Sequence, residues 1–492
     1  MSSKTAAAQP EVGEKTGDGT SAPTPVDPQV THLTEAERVG RGKAAREQAP
    51  RASHSILELS SDRDPVAIVD ADTPSRVPEL VPIRYGRMLV SPFTFYRGAA
   101  SLMAHDLAGT PRTGLKAQLC GDAHLSNFGG FASPSRDLVF DLNDFDETHP
   151  GPFEWDVKRL AASFEIAGRD RGFDDRVRRA AVLAAVRAYR ESMRSFAAMS
   201  NLAVWYSRLN AAEMAANLRG QSDKKQAKAV ERTAAKAQTK DSMKAFAKLT
   251  HEVDGEPRII SDPPLIVPIA ELVDDMQRDE ITAGVLDLFH GYRRTLQPDR
   301  KILLEGFRYV DLARKVVGVG SVGTRCWILL LLGRDDGDPL FLQVKETGPS
   351  VLESLLGRSR FRNHGQRVVE GQRLMQAASD IFLGWIRNPA GLDGVQRDFY
   401  VRQLWDWKTS VDTETILPRG LQLYAQACGW TLARAHARSG DRIAIATYLG
   451  KGDVFDRAVA DFAVAYADQN ERDYATLVEA TRDGRIEAKE GL

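Results

Sequence analysis

Cysteine is scarce in this chain, and the little there is forms no pattern. The 492 residues include 3 cysteines: Cys120, Cys326 and Cys428 lie far apart, odd in number and outside any metal-ligand spacing. That excludes a disulfide framework and a zinc knuckle, and predicts a reduced, cytoplasmic setting. Long apolar runs are missing too. The longest, Cys326 to Leu332, falls far short of the ~18 residues that suggest a membrane span. The opening stretch MSSKTAAAQPEVGEKTGDG lacks the apolar centre of a signal peptide, so no membrane partner is expected. Nor does one sign of charge dominate: 66 Lys and Arg against 67 Asp and Glu leave a net −1, which excludes a nucleic-acid protein held by its overall field. Residues 1–50 are nearly free of aromatics and predict a disordered tail, because they bury too little apolar surface to offset chain entropy. Order is expected from Pro78–Arg87. The remaining length suffices for a large core and two lobes.

What the chain does have is concentrated between Cys120 and Asp156. Carboxylates, an amide and two histidines alternate there with Gly and Pro punctuation. Asp122 precedes Asn127, and the run from Asp137 to Phe140 reads as a strand delivering Asn143, Asp144, Phe145, Asp146 and Glu147. Two acidic clusters bracketing a strand predict a divalent cation held by hard oxygens, because Mg²⁺ favours carboxylates and carbonyls and keeps several waters for a phosphate partner. The plainer alternative is that these side chains cap turns and helices. Asp146 or Glu147 either assists a second metal or faces solvent. Asp141, on the other register, is read as structural.

Elsewhere the periodicities alternate between helix and strand. Pro152 suits a first helical turn with Glu154 and Asp156 near its positive end. Val157, Leu160, Ala161 and Phe164 then mark an amphipathic helix. Asp174 to about Ala198 is a second helix, and the Lys-rich Lys224–Leu249 a third, whose lysines steer an anion or form a solvated face. In SPFTFYRG (Ser91–Gly98), Arg97 either meets a phosphate or carboxylate bidentately or makes a structural ion pair. From Gly306 the chain becomes strand-like. Gly318, Gly320 and Gly323 form GxGxxG around Ser321, which suits a dinucleotide fold only with a helix directly after it. Instead the chain continues into a strand (Thr324–Leu332), a turn at Asp335–Asp338 and a return strand (Leu340–Glu346), with Phe341, Gln343 and Lys345 on one face. Leu421, Tyr424, Cys428 and Leu432 recur at helical spacing in Leu421–Arg438, and further helices are expected over Asp453–Asp468 and near Tyr474.

The GDxHxxN pattern at Gly121–Asn127, with a strand and Asp144-Phe145 after it, resembles the catalytic and metal loops of the protein-kinase-like fold in its aminoglycoside-phosphotransferase style. Gly151, Pro152 and Asp156 extend the likeness. The chain also resembles the bacterial domain-of-unknown-function-2252 family, through SPFTFYRG and GDAHLSNFG, a name that carries no substrate. The kinase-like resemblance implies Asp122 as catalytic base, Asn127 and Asp144 as metal ligands, and His124 and Asp156 as structural supports. The usual His before Gly-Asp is Cys120 here. It further implies a nucleotide site built from Gly318, Gly320, Ser321, Gly323 and Lys345, with Glu370 (or Glu353) pairing Lys345 and Gln403 at a hinge. In such chains the glycine loop comes first; here the catalytic loop does.

The expected architecture is therefore α+β: a two-lobed, circularly permuted kinase-like fold with a small antiparallel-sheet nucleotide lobe and a larger, mostly helical lobe. The divisions expected are a tail (1–50), a helical lobe with the catalytic and metal loops (51–300), a nucleotide lobe (301–408) and C-terminal helices completing the helical lobe (409–492). The implied activity is ATP- and Mg²⁺-dependent phosphoryl transfer to a hydroxyl-bearing acceptor. Nucleotidyl transfer (AMPylation), a non-catalytic nucleotide-binding module and a metal-dependent phosphoesterase stand as alternatives.

Overall fold

The chain folds as a mixture of helices and small antiparallel sheets in a computed structural model that describes residues 32–220, 223–272, 284–285, 287–389 and 394–491. Most of the expected disordered tail, residues 1–31, lies outside the described residues. The rest of it is helical, which corrects the expectation that order starts near Pro78. Helix α1 (Glu35–Gln48) begins with a capping box between Thr34 and Glu37 and buries only Gly42 and Ala45. Arg46 and Arg51 then donate to the carbonyls of Tyr448 and Leu449, each at 2.8 Å. A helix anchored by small residues and arginines leaves no apolar stripe to read.

Several later elements place the site. SPFTFYRG forms helix α2 (Pro92–Gly98), started by a Ser91–Thr94 capping box. Strand β1 (Lys116–Leu119) pairs with β4 (His149–Pro152), and β2 (Phe128–Ala132) with β3 (Leu138–Leu142). Pro152 caps helix α3 (Phe153–Asp170), which is buried almost all round, and Asp174 caps α4 (Asp175–Ala197) by accepting from the Val177 N–H. The expected helix Lys224–Leu249 is two helices, Lys224–Gln238 and α5 (Ser242–Leu249).

The second half builds a six-stranded antiparallel sheet. Its strands are β5 (Ile266–Pro268), β6 (Arg308–Lys315), β7 (Cys326–Leu332), β8 (Pro339–Thr347), β9 (Gly384–Asn388) and β10 (Arg397–Gln403), ordered β9-β10-β8-β7-β6-β5. Helix α6 (His364–Met375) precedes β9, and α7 (Pro418–Ser439) and α8 (Val454–Arg482) close the chain. The period of two divides the sheet between two cores. Leu312, Leu329, Leu331, Leu340 and Leu342 face one way, and Ile328, Leu330 and Phe341 the other.

Helix α7 packs against α4 and β1. Its Ser439 hydroxyl accepts from the Gln118 N–H at 3.1 Å, and the Tyr424 hydroxyl donates to the Leu125 carbonyl at 2.6 Å, so a helix remote in sequence flanks the strand entering the Asp122 loop. Deeper, Arg434 on α7 pairs with Asp141 on β3, each side chain 1% exposed, and Asp141 also accepts from the Ala377 N–H at 2.8 Å. Breaking a buried pair strands the remaining charge. Arg434→Met should therefore cost ~3–5 kcal/mol, read as a lowered urea midpoint; an unchanged midpoint would show the pair to be dispensable.

Candidate functional site

The site begins where β1 ends. The Cys120 and Gly121 N–H groups donate to the Asp156 carboxylate on α3 at 2.8 and 3.1 Å. Gly121 turns the chain at φ +82°, and a Cβ there would lie 2.3 Å from the Glu147 carbonyl oxygen, so only glycine fits. Asp122 is thereby delivered to Arg159, whose Nε donates to its Oδ1 at 2.5 Å. Burial raises the Asp122 pKa, and Arg159 opposes the rise. His124 shapes the loop: its Nδ1 accepts from the Ser126 N–H at 3.2 Å, and burial, with Arg97 and Arg159, pushes its pKa well down. Asn127 Nδ2 donates to the Asp122 carbonyl at 2.9 Å, which leaves the amide oxygen as an acceptor.

Beyond β3 comes the second acidic cluster. Asp144 accepts from the Asp146 N–H at 3.3 Å, and burial together with the Asp146 charge raises its pKa. Lys345 on β8 forms an ion pair with Asp146, and the Tyr400 hydroxyl donates to the same carboxylate at 2.8 Å. Burial alone would raise the Asp146 pKa; Lys345 and Tyr400 outweigh it and hold it low. Glu370 does not pair with Lys345, a correction to the expectation: it meets Arg373 at 3.3 Å. Glu353 faces His364 and Arg367 instead. Asp146 stands closer to Lys345 in space because Arg367 of α6 donates to the carbonyls of Asp146 and Thr148, at 2.8 and 2.9 Å, clasping that loop to the sheet.

The GxGxxG stretch is a turn between β6 and β7, with Gly318 and Gly323 at φ +69° and +90°. Its carbonyls are held from the N-terminal side. Arg76 donates to Gly320 O at 2.8 Å, Arg87 to Gly318 O at 2.5 Å and the Val77 N–H to Gly323 O at 2.7 Å. Among the described residues the N–H groups of Val319, Gly320 and Ser321 find no acceptor. The turn, Asp122, His124, Asn127, Asp144 and Glu147 line one cavity of about 200 Å³. The expected site residues not brought to it are Gly323, Glu370 and Gln403, with Lys345 set behind Asp146 and Asp156 beneath the loop.

Gln403 lines a second cavity, of about 360 Å³, with Phe131, Asn143, Arg402, Leu404 and Lys408. Consecutive residues Asn143 and Asp144 thus border the two cavities. The apolar part of the Lys345 face, Ile328, Leu330 and Phe341, is covered by Ala245, Phe246 and Leu249 of α5. The donor set at Asp144 and Asn127, one carboxylate and one amide oxygen, suits a Mg²⁺ ion that brings phosphate and water ligands of its own. Among the described residues no group of three or more His, Cys, Asp or Glu stands ready to hold a metal, and no helix is long and apolar enough to cross a membrane.

The family described as "Uncharacterized protein conserved in bacteria (DUF2252)" matches residues 76–480. The chain belongs to that family. The DUF2252 match spans both the acidic loops and the glycine turn, and starts at Arg76, one of the residues that hold the turn. No curated protein and no solved structure matches the chain.

Three functional side chains carry no signal in the sequence for the contacts they make. Arg159 is one of several polar residues in a helix legible by its apolar ones. Asp146, expected at a metal or in solvent, is instead the partner of Lys345. Arg402 lies inside a strand, where it donates to Gln343 Oε1 at 3.0 Å and to the Asn143 carbonyl at 3.2 Å. Glu147 yields a test. Burial pushes its pKa from 4.5 up to about 7, although Arg367 and the Val351 N–H oppose the rise. Such a carboxylate takes up a proton on folding, so stability falls as pH rises from about 4.5 to about 7. Glu147→Gln should match wild type near pH 4.5 and exceed it at pH 8 by up to about 3 kcal/mol, measured as urea midpoints against pH. Parallel profiles for the two proteins would sink the assignment.

Proposed function

We propose that this protein is an ATP- and Mg²⁺-dependent phosphotransferase acting on a hydroxyl-bearing acceptor in the cytoplasm, on a circularly permuted protein-kinase-like fold. The observation that carries the reading is the cavity in which a glycine turn with open N–H groups faces Asp122, Asn127 and Asp144. Further support comes from the strand order β9-β10-β8-β7-β6, with the turn between β6 and β7 and Lys345 on β8. The seat of α7 beside β1 is where a permuted chain needs the helix that feeds the loop.

In this reading the protein aligns an in-line attack and neutralises charge. Asp122, fixed by Arg159, accepts the acceptor's proton. The N–H groups of Val319, Gly320 and Ser321 meet phosphate oxygens. Asn127 and Asp144 would hold Mg²⁺, whose charge would offset that of the phosphates. Lys345 positions Asp146 and, through it, Asp144. Because α5 covers the apolar sheet face, the base belongs in the second cavity beside Gln403.

Incubation with Mg²⁺, lysate metabolites and ATP labelled at the γ-phosphate should transfer label to a new species. Asp122→Asn should cut the rate by ~10²–10⁴-fold, with Asp144→Asn and Asn127→Ala also impaired and all three folded. Transfer of α-label would replace phosphoryl by nucleotidyl transfer, and full activity in all three variants would remove the site. A separate check is Gly320→Val. A Cβ added there would lie 3.3 Å from the Arg97 carbonyl oxygen, so the branched valine side chain crowds the turn against α2. ATP affinity by calorimetry should fall; unchanged affinity would leave the turn a mere connection.

A further inference from the structure

One cation on the cavity wall has no partner. Arg76 and Arg84 also line the cavity, but both are engaged with Asp72. Arg97, at the end of α2, makes no ion pair or hydrogen bond among the described residues, and its Nε is buried without an acceptor. Its backbone is rigidly placed. The neighbouring Tyr96 hydroxyl donates to the Arg159 carbonyl at 2.7 Å, Arg159 donates back to the Tyr96 carbonyl at 3.1 Å, and Gly320 runs so near the Arg97 backbone that a Cβ on it would lie 3.3 Å from the Arg97 carbonyl oxygen. The same residues that fix Asp122 therefore fix Arg97 between Asp122 and the glycine turn.

The charges of the cavity do not close on one another. Asp122 is paired with Arg159, Asp146 with Lys345 and Asp72 with Arg76. Among the described residues Asp144 has no cation in ion-pair contact and Arg97 no anion, on the walls of one cavity. A ligand carrying both a divalent cation and oxyanion oxygens would satisfy the two together. A guanidinium matches phosphate oxygens bidentately.

We infer that Arg97 grips the terminal phosphoryl group of the donor, beside Asp122, as a catalytic residue contributed by the segment preceding both acidic loops. This rests on the phosphotransferase reading above. The test compares MgATP with MgADP by calorimetry on the full chain, in wild type, Arg97→Gln and Arg97→Lys, with circular dichroism confirming the fold. Wild type should prefer ATP. Arg97→Gln should lose about 10- to 100-fold in ATP affinity, the scale of one charge-assisted contact, while ADP affinity stays within about twofold, and Arg97→Lys should recover part of the preference. Equal losses for ATP and ADP, or none, overturn the inference. Tripolyphosphate is the second probe. Binding of it by wild type that Arg97→Gln abolishes, with no nucleotide bound at all, keeps Arg97 as an oxyanion ligand and overturns the ATP reading. Binding of neither probe overturns both.

Discussion

The carboxylate of Asp156 is the constraint on which the site depends. It sits in the first turn of a helix buried on nearly all sides, so it can scarcely move. It accepts the N–H groups of Cys120 and Gly121 and faces His436 of α7 at 3.3 Å. Were it removed, two buried donors would lose their acceptor, a cost of about 1–3 kcal/mol for each, and Gly121 would no longer be held against Glu147. The direction in which Asp122 points, the carbonyl that receives Asn127 and the contact with Arg159 all depend on that one anchor.

A second constraint is the way the two halves meet. One dense set of polar bridges runs from the sheet and α6 to the loop after β3. Lys345 and Tyr400 reach Asp146, Arg402 the Asn143 carbonyl, and Arg367 the carbonyls of Asp146 and Thr148. Side chains from β8, β10 and α6 thus converge on one short loop. Asp144 is held in register by this clasp without itself being consumed by it.

Much of this was legible in local pattern. The loop residues Asp122, Asn127 and Asp144 lie within one stretch whose spacing is specific, and the strands β7 and β8 announced themselves as apolar runs on either side of an Asp-Gly turn. What escaped depends on distance in the chain. No spacing connects Lys345 to Asp146 rather than Glu370, since the choice is made by Arg367 drawing the loop in. The Lys-rich segment, expected to steer an anion or to form a solvated face, does keep most of its lysines outward, yet Ala245, Phe246 and Leu249 turn inward on the opposite side of α5 and cover the sheet. Helix α1 stayed hidden because small residues and arginines hold it.

The position of α7 has a bearing on how the chain is made. Its partners α3, α4 and β1 are synthesised early, and the part of their apolar surface that α7 covers stays open until α7 has left the ribosome. Contacts this far apart in sequence carry a large loop-closure entropy and give a high contact order, which slows folding. The half-built lobe meanwhile exposes the surface that chaperones recognise. The late place of α7 in the chain thus lengthens the interval in which the nascent chain is vulnerable.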